Sequence, residues 1–269
     1  MCFSVAIDKD IKKLSQRFSA NFSEVGEQNR QKLFTQQSTM DQIKFERLLG
    51  LSHSQKRPIV FRMPAEDNRV FPGYFANVLT IDEGQRVFHP MRYRVRPEGS
   101  REEIPDKFGV YNARIDSLTS KKTWQPLFMR RHGLVPFTNF YEWVLDPQQK
   151  KDLGLFDFLD EDDKKELGEN TKATKRLITF SPEGRDMMWA PCLWDEWQSI
   201  NGEIAFKSFA IITDDPPQEV EIMGHDRCPI FLREEYISEW LCPEKSNVNE
   251  IFEILKSKEN VKFLHRWVY

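Results

Sequence analysis

Hydrophobic positions change their period along the chain, and each change marks an element. Residues 2–7, CFSVAI, form a short apolar run that reads as a strand starting at the terminus. A polar and basic stretch follows from Lys9 to Gln37, in which Ile11, Leu14 and Phe18 recur at helical spacing and Phe22 and Val25 continue the series. That spacing lines one side of a helix, so an amphipathic helix is predicted there. A second helix is predicted over Met40 to Leu51.

From Arg57 to Pro97 the pattern shortens. The runs PIVFRM, VFPGYFANVLTI and VFHPMRYRVRP are cut by Pro, Gly, Asn and Asp, and read as strands. Residues 108–120 read as a strand or loop entering a polar helix, and residues 132–146 as paired strands joined by a turn at Thr138-Asn139. Strands resume with RLITFSP, MMWAPCLWDEW and EIAFKSFAIIT. Asn201-Gly202 between the last two is a hairpin signal. Arg233 to Leu255 is predicted helical, and VKFLHRWVY closes the chain. No repeat is present. The pattern predicts an α+β, β-rich single domain over residues 1–269, with helices outside the sheets. A charged surface insertion is predicted at about 146–175.

Composition narrows the function classes. The 269 residues are 39% hydrophobic and 30% charged, ordinary for a globular protein, but the aromatic share of 13%, with 21 Phe and 7 Trp, is on the high side and argues for a well-filled core with room for exposed stacking surfaces. No apolar run is long enough to span a bilayer, and the start does not read as a secretory signal. Cys2, Cys192, Cys228 and Cys242 form no C-x-x-C pair and no zinc spacing, so free thiols in a reducing cytoplasm are expected, with no metal and no cofactor. The net charge of −3 means that any nucleic-acid site is a local basic patch whose affinity falls with salt.

The chemistry begins at Cys2. Cysteine is small enough at that position for the initiator methionine to be removed, which leaves a thiol and an α-amine on adjacent carbons. An α-amine with an unperturbed pKa near ~8 is partly neutral at pH 7. It can attack an aldehyde to give a Schiff base, and the thiol can then close a thiazolidine ring. The plain alternative is a small apolar residue opening a strand.

Four further segments gather residues of reactive type. Asn112 in NAR offers an amide donor, or else an Asx turn. Arg114 suits a phosphate, or else an ion pair with Asp116. Arg92, Arg94 and Arg96 alternate in MRYRVRP, which on a strand presents three cations on one side as a DNA track, or else a solvated strand face. Glu142 lies between Tyr141 and Trp143 in FYEWV, where partial burial would suit it to proton transfer. His225 opens HDRCPIFL and can exchange a proton near neutral pH. Trp143, Tyr93 and Phe3 could stack on splayed bases or fill the core.

The order and content of these segments resemble the SRAP family (SOS response-associated peptidase), also called abasic-site processing proteins. That family reads M-C-G-R-F, R-W-G-L-I-P, N-A-R-x-E, L-x-P-x-x-G-F-Y-E-W, then T-T-x-A with H-x-R-M-P-x-I-L; the last pair stands here as IITDDPPQEVEIMGHDRCPIFL. The resemblance implies an abasic-site sensor of single-stranded DNA that forms a covalent thiazolidine crosslink through Cys2. Possible lyase and autopeptidase activities accompany it. Glu142 would move protons, His225 would assist sugar-ring opening, and Asn112 would orient the adduct. The resemblance also implies a fold of twisted antiparallel sheets or an open barrel with peripheral helices, against which the helical segment at about 9–52 is an insertion. A monomer is expected. Two other classes remain open: a cysteine peptidase or N-terminal-nucleophile amidohydrolase, and a non-catalytic single-strand-binding module. The chain departs from the family pattern at Phe3 and Ser4 (Gly-Arg), Tyr93 and Arg94 (Trp-Gly), Asn139 (Gly) and Cys228 (Met).

Overall fold

The structure is a computed structural model that describes residues 4–50, 61–145 and 175–268. Its centre is a ring of five strands: β4 (Phe75–Asp82), β5 (Gln85–Tyr93), β7 (His132–Phe137), β10 (Met188–Gln198) and β11 (Ala205–Asp214). Antiparallel pairs run β5–β4–β7–β10–β11. The ring closes where β11 meets β5 in parallel, Ser208 opposite Arg92 and Phe209 opposite Tyr93. Closure leaves these strands no open edge along the join. Three short strands extend the sheet: β2 (Asn21–Phe22) on β5, and β6 (Asn112–Arg114) and β12 (Cys228–Pro229) on the far end of β11.

A second sheet has the order β13–β9–β8–β1–β3, from β13 (Phe263–Trp267), β9 (Lys175–Pro182), β8 (Asn139–Leu145), β1 (Ser4–Ala6) and β3 (Arg69–Val70). The expected pairing of residues 132–146 with themselves is not found. β7 pairs with β4 and β10, whereas β8 pairs with β1 and β9. The chain crosses between the sheets at Thr138, whose N–H donates to the Ala6 carbonyl at 2.7 Å. One residue is too short for a hairpin turn, so the bend becomes a crossing.

Side chains alternate across each strand. One face of the ring, with Val78, Met91, Val135, Cys192, Phe209 and Ile211, merges with Val5, Phe140 and Phe180 of the second sheet into one cluster. The opposite face is covered by helices. α1 (Ile11–Phe18) packs Leu14 and Phe18 against Phe88 and Leu193, beside Trp240 of α5 (Ile237–Leu241) and Ile251 and Leu255 of α6 (Val248–Lys256). α2 (Glu24–Thr39) and α3 (Gln42–Leu48) bring Leu33 and Phe45 against Phe75, Trp197 and Phe206. α4 (Gln218–Ile222) lies between β11 and β12.

The single helix predicted from Lys9 to Gln37 is two helices with a strand between. Asp10 caps the first, accepting from the Lys13 N–H at 3.0 Å, and Ser23 caps the second, accepting from the Gly26 N–H at 3.0 Å. Between them Ser19 turns left-handed at φ 48°, and Phe22 packs beside β5 rather than continuing the helical stripe. Val25, which extended the predicted stripe, is 67% exposed. Residues 115–120 form a 3-10 turn and further turns rather than a polar helix. The hairpin at Asn201-Gly202 is present, with Gln198 opposite Ala205 and Gly202 at φ 71°. Of the charged 146–175 segment only Lys175 is described; the rest lies outside the described residues, and its two flanks pair as Leu145 opposite Lys175. Among the described residues no helix is long and apolar enough to cross a membrane.

Candidate active site

Glu142 sits in the middle of β8. The period of two turns it to the same side as Phe140 and Val144, both core residues, and leaves it 1% exposed. Tyr141 and Trp143, its sequence neighbours, face the other side. A carboxylate this deep needs a partner. His225 supplies one: its Nε2 lies 3.0 Å from Glu142 Oε2. The histidine follows Gly224, at φ 92°, in the turn between α4 and β12.

The other ring nitrogen, Nδ1, is 2.8 Å from the Arg227 carbonyl oxygen. The Arg227 N–H also donates to Nδ1, at 3.3 Å, so the carbonyl contact asks for a proton on Nδ1 and the N–H contact for a lone pair, and the ring has a backbone partner in either tautomer. With the proton on Nδ1, Nε2 can accept from a protonated Glu142; with the proton on Nε2, it donates to an ionised one. A carboxyl and an imidazole 3.0 Å apart are within reach for proton exchange.

Asn112 comes to the same end of the ring. β6 runs parallel to β11 with Asn112 opposite Ile211, while β12 meets β11 one step further on, Pro229 opposite Thr213. Asn112 is 7% exposed, and its Oδ1 accepts from the Tyr93 hydroxyl at 3.0 Å. That bond fixes the amide so that Nδ2 presents its donors on the opposite side. Tyr93 is therefore a core residue, stacked on Phe209 at 5.1 Å, and not a base-stacking surface.

The arginine track expected on β5 is corrected. Arg92 is 1% and Arg96 0% exposed. Arg92 Nη2 lies 2.9 Å from Glu103 Oε1 and Arg96 Nη1 3.4 Å from Oε2 of the same carboxylate. Their guanidinium groups also lie over aromatic rings, Arg92 over Phe206 at 4.7 Å and Arg96 over Trp197 at 3.6 Å. Burial pulls the Arg96 pKa down to about 10, the Glu103 charge only partly opposing it. Arg94 does not share their strand face, because β5 ends at Tyr93 and Arg94 takes φ 151°. It pairs with Asp106 and Glu103. The alternation that suggested a cationic face thus folds inward onto one carboxylate. Arg114 is exposed and holds Asp116 through Nη2–Oδ2 at 2.5 Å, the ion pair that competed with a phosphate role. Trp143 is 42% exposed. Cys2 and Phe3 lie outside the described residues; Ser4, which opens β1, is opposite Tyr141, one residue from Glu142.

Two features of the site escaped the sequence. Thr213 is fully buried between Arg114 and Pro229 in the ladder, and its hydroxyl has no hydrogen-bond partner among the described residues. The threonine in IITDD was the available signal. Glu103, in the REEIP segment just after the basic run, gave the counter-charge away only by proximity. Two of the other thiols, Cys192 and Cys228, compete poorly as nucleophiles: burial pushes both up, the Glu142 charge adding to the effect at Cys228. Among the described residues no cluster of three or more His, Cys, Asp or Glu could hold a metal ion.

Comparison with known proteins places this arrangement. The chain is similar to abasic site processing protein HMCES of Pongo abelii, 24% identical over 77% of this chain and 59% of that protein. It is similar to abasic site processing protein YobE of Bacillus subtilis (strain 168), 24% identical over 66% of this chain and 70% of that protein. The match thus spans little more than half the length of the first relative. In fold it resembles a solved protein of Bacteroides thetaiotaomicron, with a TM-score of 0.63, 16% identity, and coverage of 100% of this chain and 92% of that one. The profile of the family described as SOS response associated peptidase (SRAP) matches residues 1–268, and the chain belongs to that family.

Proposed function

We propose that this chain processes abasic sites in single-stranded DNA by capturing the sugar aldehyde on the amine and thiol of Cys2. The observation that carries this reading is the buried Glu142–His225 contact of 3.0 Å, beside the strand that leads to the terminus. Cys2 is joined to Ser4 by two peptide links, a reach of about 7 Å at most. Ser4 in turn pairs beside Glu142. The names of the relatives, abasic site processing proteins, support the substrate class.

With Met1 removed, the sugar ring opens first: His225 gives a proton to the ring oxygen while Glu142 takes the proton of the anomeric hydroxyl, and the hemiacetal becomes the aldehyde. Glu142 passes that proton to His225 across the 3.0 Å contact and then takes up a proton from the terminal ammonium. The neutral amine adds to the aldehyde carbon. The resulting carbinolamine hydroxyl takes a proton from the relay and leaves as water, giving an iminium ion. The Cys2 sulfur adds to that carbon and its proton returns to the relay. Aldehyde and aminothiol become one thiazolidine and one water. Asn112, its amide fixed by Tyr93, donates to a sugar hydroxyl and holds the ring carbon in place. If the iminium instead loses a proton at the neighbouring carbon, β-elimination cuts the strand, which gives a lyase.

Intact-mass measurement after mixing with an abasic oligonucleotide tests this. The expected result is a mass equal to the des-Met chain plus the oligonucleotide minus one water, absent for Cys2→Ser. Glu142→Gln should slow its appearance about 10²- to 10⁴-fold. A chain that keeps Met1, or that turns over amides and leaves abasic DNA unmodified, would sink the reading.

A further inference from the structure

With Arg92 and Arg96 buried, a strand of DNA needs another path across the surface. The outer side of β3–β1–β8 carries one. Arg62 lies over the Tyr74 ring at 5.8 Å and its Nη1 donates to the Tyr74 hydroxyl at 3.2 Å. Tyr74 meets Phe71 edge-on at 5.2 Å. Arg69 lies over Phe71 at 5.3 Å and over Tyr141 at 5.2 Å. Trp143, two residues on along β8, continues on the same face and is 42% exposed. The array passes β1 where Ser4 stands opposite Tyr141, so it runs beside the chain that leads to Cys2.

We infer that this ladder of aromatic rings and guanidinium groups is the track for the single strand next to the abasic nucleotide, with bases stacking on the rings and phosphates meeting the arginines. The inference rests on the function proposed above for the choice of strand. The occupant follows from chemistry: every base has a π-face, so a series of partly exposed rings accepts any sequence, and Arg suits both a base plane and a phosphate. Arg62 is exposed and pairs with no carboxylate among the described residues, so its charge is available to a phosphate. Arg69 shares its charge with Asp67 at 2.6 Å, and its planar group acts mainly between the two rings. The overall charge of −3 makes such a local cation necessary.

The test is fluorescence anisotropy with a labelled oligothymidine that contains no abasic site, so that binding is read apart from the chemistry. Tyr74→Leu should weaken binding about 5- to 150-fold, the range for losing one stacked base. Arg62→Gln, an exposed polar exchange that leaves the fold alone, should flatten the slope of log affinity against log salt by about 0.7. Lys12→Gln, an equal charge change on α1, should alter neither. Unchanged affinity in Tyr74→Leu together with an unchanged slope in Arg62→Gln overturns the inference, as does an equal effect from Lys12→Gln or failure of the wild-type chain to bind. The wild-type mass experiment separates the two readings. An adduct with ladder variants that bind normally leaves the function standing and removes the track. Ladder-dependent binding with no adduct keeps the track and removes the chemistry.

Discussion

Exchanging Glu103 for Gln removes the one carboxylate among the described residues that pairs with Arg92 and Arg96. Its side chain is 1% exposed, as is that of Arg92, and that of Arg96 is 0% exposed. Gln keeps the shape and loses the charge, so two guanidinium cations would remain buried against Phe206 and Trp197 with no anion between them among the described residues. Removing one partner from a buried pair typically costs about 3–5 kcal/mol, far more than the pair adds when intact. The depressed Arg96 pKa points the same way, since burial already outweighs the attraction of Glu103. For a chain of this size each kcal/mol moves the melting temperature by about 2–4 °C, so a fall on the order of 6–20 °C is expected. Urea unfolding at neutral pH measures the loss directly. Glu98→Gln is the matched control, because that carboxylate is 71% exposed where it meets Arg131 and an exposed pair is worth about 0–1 kcal/mol. A Glu103→Gln loss no larger than that of Glu98→Gln would mean the arginines reach water and the buried cluster is wrong.

Two further outcomes follow from the backbone and from the buried imidazoles. Arg94 holds φ 151° where most side chains are strained, so Arg94→Gly should be more stable than Arg94→Ala by about 1 kcal/mol in urea unfolding, and equal stability of the two would refute the strain. His132, stacked on Trp240 at 3.7 Å, is pulled by burial down to about 3, and His89 by burial down to about 4. Both stay neutral in the fold and take up protons when unfolded near their ordinary pKa of about 6.5. Stability is therefore full above that pH and falls toward those lower values, by up to about 1.4 kcal/mol per pH unit for each. His89→Gln should flatten the limb between pH 6.5 and 4.5 by one such share; a wild-type limb that is already flat there would contradict the buried neutral histidines.

The strands were legible because alternation and turn residues are local signals. Asn201-Gly202 marked its hairpin, and FYEWV marked a strand. The two helices in place of one were less so. Asp10 and Ser23 are both cap residues, but a cap inside a polar run looks like any other polar residue until the tertiary contact of Phe22 with β5 ends the first helix. Arg92 and Arg96 misled for a related reason. Charge pattern says that a strand face is cationic and says nothing of what lies over it. Their burial depends on Glu103, close by in sequence, and on Phe206 and Trp197, both of which the chain brings from far away. Glu142 and His225, 83 residues apart (225 − 142), were both singled out by type and local motif, but their contact exists only because β8 and the turn before β12 meet across the sheets.

A strand that alternates sides can serve two solvents at once, and β8 does so. Phe140, Glu142 and Val144 face the shared core, and there His225 meets the carboxylate. Tyr141 and Trp143 face outward, where rings gain from contact with a planar cation such as Arg69. Shifting the strand by one residue would exchange every one of these positions. It would put Glu142 in water, where its contact with His225 is lost, and two large rings into a core already filled by Phe180 and Phe263. The register is therefore held from both sides: by Ser4 opposite Tyr141 on one edge and by Ile178 opposite Glu142 on the other. The same register fixes how far the proton relay lies from the terminal strand. On the function proposed above, an insertion of one residue in β1 or β8 should therefore abolish the Cys2 adduct in the mass experiment even in molecules that remain folded, because it moves Glu142 away from the strand that leads to the terminus.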